Sequence, residues 1–304
     1  MKWKDVIRFV VAKVLLKKTV LFSRHDDWEW AIRKKLKPTE YTPFFYDFDE
    51  IPLALFDLVV PLTLPAERYV NERNATLNGK RTLVPPDAAI ALCDDKERFA
   101  SHLMSHGFGN HVPKTNQKMD YPYIVKKKVG EWGLDMAVIH DDESERQYRD
   151  WCSSGDFFTQ EYIEGSDEYT THIIMAGGKI RFSRTLKFTF QDRYFIKGNN
   201  FRPLYGLPVD HSRFSDLFKR ILNSVGYQGI CCFNYKIAGD TVKIFEVNPR
   251  YGGSLTTFLP EALPLYERIV GSPGAPLQHH VPELGEFEEE ENVDHPVIVT
   301  PSPR

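Results

Sequence analysis

Phe245-Glu246-Val247-Asn248-Pro249-Arg250 (FEVNPR) is the stretch that decides the fold. Glu246 and Asn248 are two residues apart at the end of the apolar run Val242 to Val247, so in a strand both side chains leave the same face. A second apolar run, Gly229 to Ile237, precedes it across the turn Ala238-Gly239-Asp240. Paired strands bring Asn234, twelve residues before Glu246, level with that carboxylate. One carboxylate and two amides then converge, all offering oxygen, with Arg250 just beyond. Mg²⁺ suits such a set, because it keeps waters and completes its shell with phosphates. The competing reading is an exposed polar strand end before a proline turn.

Moving outward, Tyr123 to Lys128 (YIVKKK) ends an apolar strand in lysines, and Val129-Gly-Glu-Trp-Gly133 follows it. A lysine leaving such a strand can meet a buried phosphate, and the glycine loop can close over a nucleotide. The alternative is a basic strand end. Between these two motifs lies Thr159-Gln-Glu-Tyr-Ile-Glu-Gly165, with Glu168 behind it. This strand and hinge can present backbone groups to an adenine edge, and Glu168 can accept from ribose hydroxyls. Alone, it is an ordinary strand and turn.

In this order the three segments resemble the ATP-grasp fold, from Asp94 to about Gly271. Biotin carboxylase and D-alanine–D-alanine ligase belong to this group. The resemblance implies that Lys96 and Lys126 contact ATP phosphates. It implies that Glu161, Tyr162 and Ile163 form the adenine hinge and that Glu168 binds ribose. Asn234, Glu246 and Asn248 fall on metal positions, and Arg250 on the arginine that steadies the transferring phosphate. A further basic residue is implied between Lys179 and Lys197; Lys187 is placed there, and Lys197 also qualifies. The first metal position usually carries Asp, Glu or Gln. Asn234 there is neutral, which weakens one ion's binding and brings a two-metal site into question.

The activity implied is an ATP- and Mg²⁺-dependent ligase joining a carboxylate to an amine through an acyl phosphate. Gly252 and Gly253, just after Arg250, either hold a tetrahedral oxyanion with their N–H groups or only make the turn toward a helix after Pro260. A kinase on the same fold and a nucleotide-binding protein without turnover are the rivals. Substrate contacts are expected from the first lobe and from Phe188 to Tyr205. Family members are often dimers, so a homodimer is one expected assembly.

The rest of the chain fits an α/β protein with α+β lobes: an ATP-grasp fold preceded by a small parallel α/β domain. Residues 1–92 are read as that domain, with strands at Thr19–Ser23, Phe56–Leu62 and Lys80–Val84, and helices from Asp26 and Ala66. Residues 93–275 are read as the ATP-grasp unit, divided at 156, and the helix opening it has a capping box at Asp94 and Glu97. Residues 276–304, with EFEEEEN and Thr-Pro-Ser-Pro, read as an acidic disordered tail. The net charge of −3 excludes a basic field for nucleic acid. Asp5, Arg8 and Lys13 interrupt the apolar start and argue against a signal peptide, and no apolar run spans a membrane. A cytoplasmic setting is expected. The apolar and basic helix at Val6 to Leu16 either packs on the first lobe or lies on a membrane surface. The four cysteines have no C-x-x-C spacing, and Cys231 and Cys232 read as packing residues on opposite strand faces. His279-His280 has no third ligand at metal spacing.

Overall fold

A computed structural model describes residues 1–78, 80–130, 133, 135–198 and 201–271. The tail read at 276–304, His279-His280, and Glu131-Trp132 of the glycine loop lie outside these residues.

Helix α1 (Trp3–Val14) leads into strand β1 (Lys18–Ser23), helix α2 (Asp26–Leu36), strands β2 (Tyr41–Tyr46) and β3 (Leu58–Val60), and helix α3 (Leu64–Arg73). The strands pair in parallel in the order β2-β1-β3. Val20, Leu21 and Phe22 of β1 are all buried, as a central parallel strand covered on both faces requires. Asp26, Asp27 and Glu29 open α2, and Arg33, Lys34 and Lys35 close it, so charge complements the helix dipole at both ends. Thr63 caps α3, its hydroxyl accepting from the Ala66 N–H.

Two expectations change here. Lys80–Val84 is not a strand: Thr82 makes one isolated bridge to Asn78, and the Leu83 N–H donates to the Tyr266 hydroxyl at 2.8 Å. The third strand is instead β2, whose Pro43 masks it in the sequence. A proline that cannot donate to a ladder is tolerated on an edge strand such as this one.

Helices α4 (Asp87–Asp94) and α5 (Lys96–Ser105) follow. The chain breaks between them at Asp95, whose carboxylate accepts from the Arg98 N–H at 3.0 Å. Asp95 is therefore the cap expected at Asp94. Strands β4 (Tyr123–Lys127) and β5 (Met136–Ile139), helices α6 (Asp142–Gln147) and α7 (Arg149–Ser153), and strand β6 (Phe157–Glu161) form a small lobe on an antiparallel sheet, β5-β4-β6.

The remaining lobe holds strands β7 (Asp167–Ala176), β8 (Lys179–Thr189) and β9 (Tyr205–Val209), helix α8 (Ser215–Ser224), strands β10 (Gly229–Ala238) and β11 (Thr241–Asn248), and helix α9 (Leu259–Gly271). Its antiparallel sheet runs β11-β10-β7-β8-β9. One face packs Ile173, Met175, Phe233 and Tyr235 against Phe99 and Leu103 of α5 and Phe218 and Ile221 of α8. The other packs Ile174, Phe182 and Leu186 against Trp28, Ile32, Leu263 and Tyr266, which joins this lobe to the first. Cys231 and Cys232 are buried, with free thiols, one on each face of β10.

Candidate active site

The site lies where β4 and β6 of the small lobe approach the polar end of the large sheet. Asn234 on β10 pairs with Glu246 on β11 and, on its other side, with Thr170 on β7. Alternation then puts Glu168, Thr170, Asn234, Glu246 and Asn248 on one face. The Asn234 amide donates to Glu246 Oε1 at 2.8 Å, and the Asn248 amide donates to the same oxygen at 3.0 Å. Glu246 Oε2 is 3.5 Å from the Lys96 ammonium. The polar chain continues from Asn234 Oδ1, which accepts from the Thr170 hydroxyl at 2.8 Å, to Lys197 Nζ, 2.6 Å from Thr170 Oγ1 and 3.2 Å from Glu168 Oε1.

Lys126 enters from β4. It is 3% exposed and donates to Gln160 Oε1 at 2.7 Å, over the Phe158 ring. Burial, with Lys96 nearby, pulls its ammonium down to about 7, against the opposing pull of Glu246 and Glu168. Burial pushes the Glu246 carboxyl up, but Lys96, Lys126 and the two amide donors outweigh it and hold the group at about 2. The carboxylate is thus ionised throughout the physiological range.

Arg250 completes the arrangement, buried, with a guanidinium N–H donating to the Tyr251 carbonyl at 3.1 Å. A cleft is lined by Leu64, Asp94, Lys96, Glu246, Asn248 and Arg250. From α3, buried Glu67 acts on the same arginine: burial raises its carboxyl well above the usual range, opposed by Arg250. Lys96, Lys126, Lys197 and Arg250 gather around Glu168 and Glu246, with Asp94 on the cleft wall and Glu67 beside the arginine, and four cations in one cleft suit a polyphosphate.

The structure brings most of the sequence-predicted residues together. Lys187 is the exception. It pairs in register with Tyr169, on the opposite face of the sheet, and its ammonium is 3.6 Å from Asp167. Lys197 stands in the site in its place. At the predicted hinge, the Tyr162 hydroxyl lies 3.0 and 3.1 Å from the Arg193 and Phe195 carbonyls, either of which can take its proton, and the Ile163 carbonyl accepts from Lys236 Nζ at 2.9 Å. The Glu161 side chain turns away and accepts from the Lys114 N–H. Gly252 and Gly253 are required by packing. A Cβ on Gly252 would lie 2.8 Å from Cys232 Sγ, and one on Gly253 would lie 2.6 Å from Trp28 Nε1.

Three residues were not picked out from the sequence. Gln160 is buried beside Lys126, and its Nε2 has no partner among the described residues. A buried unmade donor costs about 1–3 kcal/mol, a penalty that a phosphate or ribose oxygen placed there would relieve. Lys236 is buried over the Tyr162 and Phe195 rings, and burial pulls its ammonium down to about 8. His172 is fully buried, with Nε2 2.8 Å from Ser254 Oγ, and burial, then Lys197, pulls it down to about 3, so it is neutral. A lone Lys, Gln or His in an apolar strand gives no signal in one sequence that separates it from a satisfied core residue.

The donor set fits Mg²⁺ on chemical grounds, with Glu246 as a charged ligand and Asn248 as a neutral one. Asn234 already spends its oxygen on Thr170 and its amide on Glu246. Among the described residues no three His, Cys, Asp or Glu side chains form a further metal cluster, and no helix is long and apolar enough to cross a membrane.

The family model for the ATP-grasp domain matches residues 93–254, more than half of the chain. No curated protein sequence matches. Among solved structures, the chain is similar to phosphoribosylglycinamide synthetase from Anaerococcus prevotii at a TM-score of 0.55 and 12% identity, covering 84% of this chain and 74% of that one. It is similar to the ATP complex of D-alanine–D-alanine ligase from Bacillus anthracis (TM-score 0.55, 10% identity, 83% and 95% covered). It is also similar to the biotin carboxylase domain dimer of the Hydrogenobacter thermophilus 2-oxoglutarate carboxylase, solved with MgADP, ADP and bicarbonate (TM-score 0.59, 15% identity, 86% and 71% covered). The chain belongs to the ATP-grasp family.

Proposed function

We propose that the chain is an ATP- and Mg²⁺-dependent ligase that joins a carboxylate to an amine through an acyl phosphate, releasing ADP and phosphate. The observation that carries this reading is Glu246, an ionised carboxylate braced by two amides and placed 3.5 Å from buried Lys96. Glu246 and Asn248 would hold Mg²⁺, which when bound neutralises charge on the ATP phosphates. Asn234 orients Glu246, an arrangement that favours one ion over two.

Lys96 and Lys126 bind the phosphates, with the spare Gln160 amide beside them. The backbone of Glu161 to Ile163 takes the adenine edge, and Glu168, steadied by Lys197, takes the ribose hydroxyls. A substrate carboxylate oxygen attacks the γ-phosphorus as the bond to ADP breaks, and Arg250 stabilises the charge on the transferring group. The amine then attacks the acyl carbon, phosphate leaves, and the amine's proton is released. Gly252 and Gly253 N–H groups, on the loop after Arg250, hold the oxyanion. Ser254 is kept in place there by neutral His172.

The test is ADP and phosphate release from Mg·ATP while amino and sugar acids are screened against pools of amines. Phosphate that requires both an acid and an amine supports the ligase. ADP with a phosphorylated hydroxyl product and no free phosphate would make the chain a kinase. ATP binding without ADP release across the screen would overturn the enzymatic reading.

A further inference from the structure

Helix α1 has two apolar faces, and the described residues cover only one of them. On the first, Phe9 packs edge-on against Phe44 and Phe56 at centroid distances of 5.8 and 5.6 Å, Ala12 is buried, and Lys13 pairs with Asp57 at 2.7 Å. The second consists of Trp3, Ile7, Val10, Val11 and Val14. At about 100° per residue these five fall in a stripe about 100° wide, opposite the docked face. All five are exposed, from 47% at Val11 to 74% at Trp3 and Val14, and Leu15 and Leu16 extend the apolar surface past the helix end.

Leu16 adds an independent observation. It closes the helix with φ 55°, its N–H donating to the Lys13 carbonyl at 3.2 Å while the Lys17 N–H donates to the Ala12 carbonyl at 2.8 Å. Such a cap favours glycine. A leucine here is strained, and at 90% exposure it gains no packing in return.

Charge identifies the partner. Lys2, Lys4 and Lys17 lie around the stripe, with Arg8 beside it over Phe44, and Asp5 is the one acid in residues 1–18 of a chain whose net charge is −3; Lys13 and Lys18 are paired with Asp57 and Glu267. We propose that α1 docks on the surface of a bilayer that contains anionic lipids, lying in its plane with the Trp3-to-Leu16 stripe at the boundary of headgroups and acyl chains. Tryptophan and aliphatic side chains on one face and lysines around it are what that boundary takes up, and the basic residues are drawn to anionic headgroups. A second copy of the chain fits less well, because pairing through the stripe sets the two clusters of cations against each other.

The test is flotation of the full chain with phosphatidylcholine–phosphatidylserine vesicles and with phosphatidylcholine alone. Binding to the mixed vesicles that weakens with added salt, and little binding to phosphatidylcholine, is expected. Val10→Glu with Val14→Glu should lower partitioning about a hundredfold without shifting the unfolding temperature, since both sites are exposed. Lys2→Gln with Lys4→Gln should weaken it by a smaller factor. Brominated lipid should quench fluorescence in the wild type and not in Trp3→Phe. The proposal is overturned if the chain does not float with the mixed vesicles, floats equally with phosphatidylcholine, or floats unchanged in the valine variant. A dimer broken by the valine variant, with no flotation, would assign the face to a second copy.

Discussion

The two faces of the large sheet are made by alternate residues of the same strands and do different work. On β7, Ile173 and Met175 point into an apolar core with α5 and α8, while Glu168, Thr170 and His172 point toward the site. On β10, Phe233 and Tyr235 belong to the core and Asn234 to the site. A one-residue offset therefore separates the core with α5 and α8 from the face whose polar end holds the candidate site and whose apolar end packs on the first lobe. The core with α5 and α8 can thus be close-packed while the polar end of the other face carries the ionised Glu246 and the buried Lys236, whose ammonium burial pulls down to about 8.

The sharpest test of that contrast is to change one residue on each face. Glu246→Gln is expected to lower ADP release by about a thousandfold or more while the near-ultraviolet spectrum stays native. Phe233→Ala, on the other face, should lower stability by about 3–5 kcal/mol, with the rate per folded molecule within about twofold of wild type. A large rate loss in Phe233→Ala at full folding would break the division of labour.

A smaller effect sharpens the lysine assignments. Lys197→Ala should raise the KM for ATP by about tenfold, and Lys187→Ala, on the core face, should leave it within about twofold. The reverse order would return the phosphate or ribose contact to Lys187. The next expectation concerns pH. Lys126 sits at about 7 in the free protein, and bound phosphates favour its charged form. ATP binding should therefore weaken as pH rises above about 7 and take up a proton there, measurable by calorimetry in buffers of different ionisation heat. Lys126→Met should remove the proton uptake. The smallest change is expected from Asn234→Asp, which places a second carboxylate beside Glu246. Titration of activity with Mg²⁺ should show tighter activation by about tenfold or less, and unfolding without Mg²⁺ should come at a lower temperature.

The fold was legible in the sequence where the pattern was periodic and the turns were explicit. The hairpin carrying Asn234 and Glu246 could be placed because Ala238-Gly239-Asp240 fixes its turn and the register follows from a spacing of two. Strand β4 with Lys126 was legible for the same reason. What stayed hidden depended on tertiary context. Strand β2 was masked by Pro43, which only its edge position makes acceptable. Lys187 and Lys197 could not be separated because the long connection after β8 carries no register of its own. Pairing shows Lys187 level with Tyr169, on the wrong face. Gln160, Lys236 and His172 became visible only when burial was known, since what marks each of them is an environment and not a motif.

The most direct test of the central claim follows the oxygen that an acyl phosphate must carry away. With the acid and amine that support turnover, the substrate carboxylate is labelled with heavy oxygen and the released phosphate is analysed by mass spectrometry. Attack by the carboxylate on the γ-phosphorus predicts that one labelled oxygen appears in each phosphate formed, and that Glu246→Gln yields none above background. Phosphate formed at the wild-type rate without the label would contradict the account.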